Sequence, residues 1–559
     1  MSFPITSIAC NDLHFSWPDG STVFSGLNFA VGPGRSGLIG VNGSGKSTLL
    51  RLIAQAAGTS RSDASNDNTS GGEISGQAMP HSGSIHITGE LGYLPQDLTL
   101  NTTWRVDKVL GIAAIRRSLH AVEGGDASEE HFSVIGDNWD VEERARATLD
   151  QLGLDGIDID RAVGEISGGE TILLHLAALL IERPDILLLD EPTNNLDRYA
   201  RERLYDAVEK FSGAMVIVSH DRELLERVDQ IAELHGNEVQ WYGGNYSDYE
   251  AALAGQQEAA ARMVRVAEAD MRRQKRELAE AQVKLARRVR YGKKMMENKR
   301  EPKIIMQERK RQAQVSAGKH RNMHAEKLAE AKERLDDAEA AVRDDNEIRI
   351  DLPATSVPTG RHVLAMREVS LRFGAHIARL DVQGPERIAL LGRNGAGKST
   401  LLRTLTGELA TIEGELECYV PTRYLPQRLD VLRDDVSILD NVALAAPQAT
   451  RTNIRSALAR FLFRGDRVHQ VAGTLSGGER FRASLAMLLL AEPAPQLLLL
   501  DEPTNNLDLA SIRQLTSALT SYQGALIVVS HDVNFLRGLN ITRWLELDGD
   551  LTEIAEDEV

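Results

Sequence analysis

Cysteine is nearly absent: Cys10 and Cys418 are the only two in 559 residues. That excludes a disulfide framework and any four-cysteine zinc or iron–sulfur site, and it suits a reducing cytosol. Long apolar runs are missing as well, since no stretch of about 18 apolar residues occurs. The opening MSFPITSIACNDL has no basic segment followed by an apolar one, so neither membrane insertion nor export is expected and the location should be cytoplasmic. Positive charge is in deficit, with 64 Lys and Arg against 81 Asp and Glu for a net −17, which argues against a general nucleic-acid binder. The hydrophobic fraction of 42% is ample for several cores, and the length predicts about three to four domains. One segment opposes the overall charge: between Lys284 and Arg311 twelve Lys and Arg face three Glu.

The chain repeats itself. Lys46, Gln96, Ser167, Glu191 and His220 in the first half match Lys398, Gln427, Ser476, Glu502 and His531 in the second, each within a recurring string. Ser to Glu spans 24 and 26 residues and Glu to His spans 29 in both, so the later half of each repeat is built alike. The first repeat is longer upstream. Its Lys-to-Gln interval is 50 residues against 29, the excess being a Ser-, Gly-, Asn- and Asp-rich stretch at about 57–76 that reads as a disordered loop. Its Gln-to-Ser interval is 71 residues against 49, and the excess near 110–140 predicts two short helices around a Gly-Gly turn, a small arm.

Each repeat carries a phosphate loop between an expected strand and helix. Gly40, Asn42, Gly43, Gly45, Lys46, Ser47 and Thr48 form the first, and Gly392, Asn394, Gly395, Gly397, Lys398, Ser399 and Thr400 the second. Glycines let backbone N–H groups and the helix N-terminus face a phosphate, lysine adds a point charge, and Ser47 and Ser399 are expected on Mg2+. ILLLDEPTNNLD and LLLLDEPTNNLD are buried strands ending in paired acids. Asp190 and Asp501 would organise Mg2+, while Glu191 and Glu502 would polarise the water that attacks the γ-phosphate of ATP. Ser167, Gly168 and Gly169, like Ser476, Gly477 and Gly478, open helices whose N–H groups suit a γ-phosphate. His220 and His531 follow apolar strands and are expected on that phosphate, Gln96 and Gln427 near Mg2+ and water, and Trp17 and Phe373 against adenine.

In this order the motifs resemble the ATP-binding cassette superfamily, over about residues 5–245 and 362–550. The resemblance implies an α/β fold of two tandem P-loop ATPase domains, at 1–249 and 351–559. It also implies a head-to-tail closed state in which ATP on Lys46 is capped by Ser476 and ATP on Lys398 by Ser167. Ile166, Thr171 and the Asn-Asn-Leu-Asp runs depart from the commoner family strings. Two cassettes on one chain, with WYGGNYSDYEAAL leading into a charged linker at 250–350, resemble the F subfamily, whose members act on translation and in antibiotic resistance.

The linker reads as an antiparallel helical hairpin. Val264, Met271, Leu278 and Leu285 recur every seven residues beside Ala267 and Ala281, and Leu328, Leu335 and Val342 do so beside Ala331 and Ala338. Pro302 and Gly318 are expected to bracket the turn. Lys284, Arg287, Arg288, Arg290, Lys293, Lys294, Lys299, Arg300, Lys303, Arg309, Lys310 and Arg311 are then candidate contacts to RNA phosphates. The resemblance implies as partner the ribosome, its rRNA and P-site tRNA near the peptidyl-transferase centre, with neither DNA nor membrane, and a monomer whose cassettes close on each other. Rescue of stalled or antibiotic-bound ribosomes is the leading expectation. A housekeeping translation factor and the ATPase subunit of a drug exporter are the alternatives.

Overall fold

The computed structural model describes residues 7–58, 82–96, 103–297, 303–340, 348, 352–372 and 374–558. Contacts divide the chain into two compact units, Met1–Tyr246 with Asn346–Val559, and Ser247–Asp345.

In the first unit each sequence repeat builds one α/β cassette. Ile186–Asp190 and Ala214–Val218 are buried at all five of their positions, as continuous apolar runs should be when a parallel strand is covered on both faces. They belong to a six-stranded sheet in the order Leu91–Leu94, Ile186–Asp190, Ala214–Val218, Gly34–Ile39, Gln230–His235 and Glu238–Gly243, only the last pairing being antiparallel. Ser7–Ser16, Thr22–Val31 and Ser82–Thr88 form a separate antiparallel sheet. Its alternating inward residues, among them Leu13, Phe15, Phe24 and Phe29, share a core with Leu49, Leu50 and Ile53 of the helix Lys46–Ala56. The second cassette repeats this plan, and a single parallel pairing of His376 with Asp550 joins its two layers into one nine-stranded sheet. In both, the carboxyl ends of adjacent parallel strands lie along one edge, the place where open α/β sheets put their ligands.

The longer intervals of the first repeat hold two helices, Ala113–Glu123 and Glu129–Ile135, on either side of Gly124 and Gly125. Of the 57–76 stretch, Ala57 and Gly58 follow the helix Lys46–Ala56, and the rest lies outside the described residues.

The second unit is a pair of helices, Tyr246–Glu297 and Lys303–Ala340. Val264, Ala267, Met271, Leu278, Ala281 and Leu285 form a half-buried stripe on the first, answered by Leu328, Ala331, Leu335 and Ala338 on the second. Val342 lies outside the described residues. An ion pair of 2.9 Å between Asp270 and Arg334 joins positions about equally far from the facing helix ends at Glu297 and Lys303, as an antiparallel pair requires. The expectation for Gly318 is corrected: the second helix starts at Lys303 and runs through it. A lone glycine costs a helix interior only about 1 kcal/mol, and the Gln, Glu, Lys, Arg and Ala around it are strong helix formers.

The strand feeding each phosphate loop is anchored differently at its start. Arg35 pairs with Asp229 at 2.8 Å in the first cassette, with the two side chains 26% and 52% exposed. In the second, Arg387 donates to the carbonyls of Tyr522 at 2.7 Å, Leu539 at 2.9 Å and Leu519 at 3.1 Å, so one guanidinium collects the carboxyl ends of two helices beneath the sheet. Losing a donor to buried carbonyls costs about 1–3 kcal/mol, whereas an exposed ion pair contributes about 0–1 kcal/mol. Arg387→Met is therefore expected to lower the calorimetric melting temperature more than Arg35→Met; equal shifts would show that the carbonyl cluster is not what holds this strand.

Candidate functional site

Each phosphate loop joins a parallel strand to a helix, Gly34–Ile39 to Lys46–Ala56 and Arg387–Leu391 to Lys398–Leu405. A Cβ on Gly40 would lie 2.6 Å from the Leu234 carbonyl, and one on Gly392 2.3 Å from that of Leu547. Only glycine lets the loop cross this close to the neighbouring strand. Gly45 and Gly397, at φ 96° and 99°, leave their helices without a side-chain cap, so the first-turn N–H groups face the cleft as an anion-binding terminus. Lys46 Nζ donates to the carbonyls of Gly40 at 2.8 Å and Val41 at 3.2 Å; Lys398 Nζ donates to those of Gly392 and Arg393 at 2.6 and 3.1 Å. Burial pulls both ammonium groups below their ordinary pKa, opposed mainly by Glu191 in one site and Glu502 in the other.

The paired acids stand at the strand ends beside these lysines. Ser47 Oγ donates to Asp190 Oδ1 at 2.9 Å, and Tyr424 donates from its hydroxyl to Asp501 Oδ2 at 3.0 Å. Glu191 and Glu502 hold left-handed φ of 49° and 46°, a conformation that turns the chain sharply off the strand. His220 Nε2 lies 3.2 Å from Glu191 Oε1, and His531 Nε2 lies 3.4 Å from Glu502 Oε1. The second contact is not aligned as a hydrogen bond, so Glu502 Oε1 is a buried acceptor still open to a donor. Burial pushes Glu191 up to about 8 and Glu502 to about 7, and pushes both histidines down to about 3. Near neutral pH the rings are uncharged and the two carboxyl groups titrate, the range in which a general base is useful. A hydroxyl, a carboxylate and an amide carbonyl at each site give oxygen donors alone, a set that fits a small hard divalent cation such as Mg2+.

The cassettes complete each other's clefts. A cavity of about 440 Å³ brings Lys46, Ser47, Thr48, Gln96, Glu191 and His220 together with Gly477 and Asn506 of the second cassette. Another of about 420 Å³ joins Lys398, Ser399, Thr400, Gln427, Asp501, Glu502 and His531 to Gly168, Gly169 and Asn195 of the first. Gly43 and Gly45 line the former, with Trp17 packed edge-on against Phe15 at 5.0 Å, and Gly395 and Gly397 line the latter. Phe373 lies outside the described residues.

Several expected nucleotide contacts have protein partners instead. The Ser167 and Ser476 hydroxyls cap their own helices in reciprocal boxes with Glu170 and Glu479, leaving the adjacent glycines to line the clefts. A Cβ on Gly478 would meet Ser511 Oγ at 2.7 Å. Asn42 donates its side-chain N–H to the Asn506 carbonyl and Asn394 to that of Asn195, both at 2.8 Å. The backbone N–H of Asn42 reaches Asp508 Oδ2 at 2.9 Å, and that of Asn394 reaches Asp197 Oδ2 at 3.3 Å.

Those Asn-Asn-Leu-Asp turns were not among the expected site residues. Asn195 and Asn506 adopt φ of 62° and 61°, presenting a carbonyl to the opposite cassette, and Asp197 and Asp508 cap the next helix while accepting from the opposite loop. The signal was present in the run itself, repeated letter for letter beyond two strand ends: asparagine tolerates left-handed backbone and aspartate caps helices.

Two phosphate loops, each faced by the other cassette's Asn-Asn-Leu-Asp turn and by its signature helix, the one that Ser167 or Ser476 caps, define a paired-cassette ATPase. The profile of the ABC transporter family matches residues 24–194 and 376–505. The "Probable ATP-binding protein YheS" of Escherichia coli (strain K12) is 33% identical over 94% of this chain and 78% of its own. The tylosin resistance ATP-binding protein TlrC of Streptomyces fradiae is 32% identical over 92% of both, and ABC transporter F family member 5 of Arabidopsis thaliana 28% over 96% and 75%. Among solved structures, the RNase-L Inhibitor superposes with a TM-score of 0.56 at 17% identity, covering 98% of this chain and 91% of that one. Ribosome-bound archaeal Pelota and ABCE1 gives 0.51 at 18%, covering 97% and 78%. The chain belongs to the ATP-binding cassette family, in its F subfamily, whose cassettes bind and hydrolyse ATP.

Because a base must be ionised to act, a raised carboxyl pKa delays activity until the pH passes it. With Glu502→Gln leaving only the first site and Glu191→Gln only the second, kcat/KM for ATP should rise with pH across about 6 to 9, the range in which the free enzyme's bases titrate. For both sites the half-rise is expected above the ordinary carboxylate range, because burial raises both carboxyl groups. A profile flat over this range would remove both carboxylates from the role of base.

Proposed function

We propose that this protein is a Mg2+-dependent cytoplasmic ATPase that acts as a monomer on the ribosome, relieving stalled or antibiotic-bound complexes. In this reading residues 1–249 and 351–559 are the ATPase domains and 250–350 the linker that meets rRNA and P-site tRNA. What carries the reading is the exposed cationic series Lys284, Arg287, Arg288, Arg290 and Lys294 on one helix and Arg311 on its partner, in a chain of net charge −17. Among these, Lys284 alone has an ion pair among those described, a loose 3.9 Å contact with exposed Glu280, so the series is free to meet phosphates. Lys293, Lys303, Arg309 and Lys310 lie within the same two helices, and Lys299 and Arg300 lie outside the described residues. TlrC, similar over 92% of this chain, is a tylosin resistance protein, and one structural neighbour is ribosome-bound.

In each site the phosphate-loop amides and Lys46 or Lys398 bind the triphosphate, and the opposite cassette's signature glycines face its γ-phosphate. Glu191 or Glu502, ionised, draws a proton from water as its oxygen forms a bond to the γ-phosphorus and the bond to the bridging oxygen breaks. Neutral His220 stands 3.2 Å from the Glu191 carboxylate, and neutral His531 accepts from Lys398 Nζ at 3.3 Å, holding that ammonium at the phosphate site. Ser47, Asp190 and Gln96, or Ser399, Asp501 and Gln427, would hold Mg2+, which would supply neutralisation of phosphate charge.

Both ATPs and both cassettes are needed for closure, so blocking hydrolysis should trap the bound form. The Glu191→Gln, Glu502→Gln double variant is expected to sediment with ribosomes in ATP and not without it, and to lose most of that binding when Lys284, Arg287, Arg288 and Arg290 become Gln. Protection of peptide synthesis from a macrolide would then separate resistance from a housekeeping role. Absence of ATP-dependent sedimentation at low salt overturns the ribosomal reading.

A further inference from the structure

The two clefts share their motifs, so a difference in behaviour has to come from residues that differ between the repeats. Four residues past Asp197, on the helix Arg198–Lys210, stands Arg201; four past Asp508 the matching residue is Ile512, part of the second cassette's core. Arg201 leans into the cleft that holds Lys398, Glu502 and His531, although it belongs to the first cassette. Its side chain is 14% exposed. Nη1 donates to Asp221 Oδ2 at 3.2 Å and to the carbonyl of His531 at 3.4 Å, and Nε donates to the carbonyl of Leu196 at 3.2 Å.

This placement solves an electrostatic problem created by the repeat. Asp221 and Asp532, each following its histidine, are close enough that Asp221 helps raise the pKa of buried Asp532, after burial itself, while Arg201 and Arg222 oppose the rise. Both cations come from the first cassette; their counterparts in the second are Ile512 and Val533. The rim shows the same bias independently. Arg393 lies 4.9 Å above the ring of Tyr199 beside the Lys398 cleft, whereas the Lys46 cleft has Val41 and Ala510 at those positions.

We propose that Arg201 is a positioning residue acting from one cassette on the other: by holding the His531 carbonyl it aligns the catalytic pair of the Lys398 site only when the cassettes are closed, whereas Ile512, its match at the Lys46 site, has no side-chain donor to offer. Asp221, on the Lys46 side, is also held by the Tyr205 hydroxyl at 2.8 Å and by its own helix cap at Leu224. Losing Arg201 therefore loosens the His531 side more than the His220 side. The inference rests on Glu191 and Glu502 being the bases, and does not depend on the ribosome.

Steady-state ATP hydrolysis by the chain alone tests it, with Arg201→Ile and Arg201→Lys placed in the Glu191→Gln background, where the Lys398 site turns over, and in the Glu502→Gln background, where the Lys46 site does. Arg201→Ile should lower kcat about ten-fold or more in the first with KM little changed, and no more than about two-fold in the second. Arg201→Lys, which keeps the charge, should recover part of the loss. In the otherwise native chain Arg201→Ile should fall to the turnover of Glu502→Gln and no lower. Equal losses in both backgrounds, with thermal melting unchanged, would show that Arg201 merely joins the cassettes. No loss in either would remove it from turnover altogether, and a native chain with Arg201→Ile falling below Glu502→Gln would equally overturn the assignment. Failure of the base assignment shows itself separately, as undiminished turnover in the Glu191→Gln, Glu502→Gln double variant before Arg201 is touched.

Discussion

The reciprocal contact between each phosphate loop and the opposite Asn-Asn-Leu-Asp turn is the constraint on which the rest of the first unit depends. Asn42 and Asn394 each use a side-chain N–H and the backbone N–H on the other cassette. Burial alone would raise the pKa of Asp508, but the N–H groups of Asn42 and Ser511 hold it below the ordinary range. The same carboxylate caps a helix and accepts from the opposite loop. The loop geometry of one site is thereby tied to the helix start that follows the strand ending in the other site's paired acids. Two hydrogen bonds and one peptide turn thus connect each cleft to its partner, a short contiguous path between the two sites.

A duplicated sequence does not make a symmetric molecule. Arg480 of the second signature helix donates to the Leu429 carbonyl at 2.7 Å and pairs with Asp434, fastening that helix to the segment after Gln427; the matching Thr171 is buried and too short for such a reach. Arg480 thereby steadies the helix whose Gly477 lines the Lys46 cleft, while Arg387 gathers helix ends where Arg35 makes an exposed pair, and Arg201 and Arg393 line the Lys398 cleft where the other has Ile512 and Val41. Guanidinium groups suit this work because a fixed planar fork satisfies several carbonyl and carboxylate oxygens at once.

The sequence disclosed the α/β cassettes because their signals are local. A five-residue apolar run ending in acids, and a glycine loop ahead of a helix, need no distant partner to be read. The coiled stripe of the helical pair was legible for the same reason. The lost expectation, a turn reaching to Gly318, came from weighing one glycine above the helix formers beside it. The Asn-Asn-Leu-Asp turns and Arg201 escaped because their meaning is relational. Asn195 meets Asn394 of a phosphate loop 199 residues away and Arg201 the carbonyl of His531, 330 residues away, and no periodicity marks a residue whose partner lies in the other repeat.

Burial and backbone strain meet on the same two residues. Glu191 and Glu502 are buried carboxyl groups in left-handed backbone, each feature unfavourable by about 1–3 kcal/mol where the surroundings do not compensate. Their strands compensate: every residue of Ile186–Asp190 and Leu497–Asp501 is buried, and the Glu191 and Glu502 N–H groups still donate to Val218 and Val529 at 2.8 and 2.9 Å, continuing the ladder past the last strand residue. The left-handed turn is thus pinned by the sheet on one side and by the Asn-Asn-Leu-Asp turn on the other. The same carboxyl group on a flexible loop would be solvated, with an ordinary pKa and no fixed direction, and so ill suited to the role of base proposed for it. Held at a strand end, out of water and beside a neutral histidine, the same side chain becomes a weaker acid aimed at one point, and the packed strands that make it so are the part of each cassette least able to move.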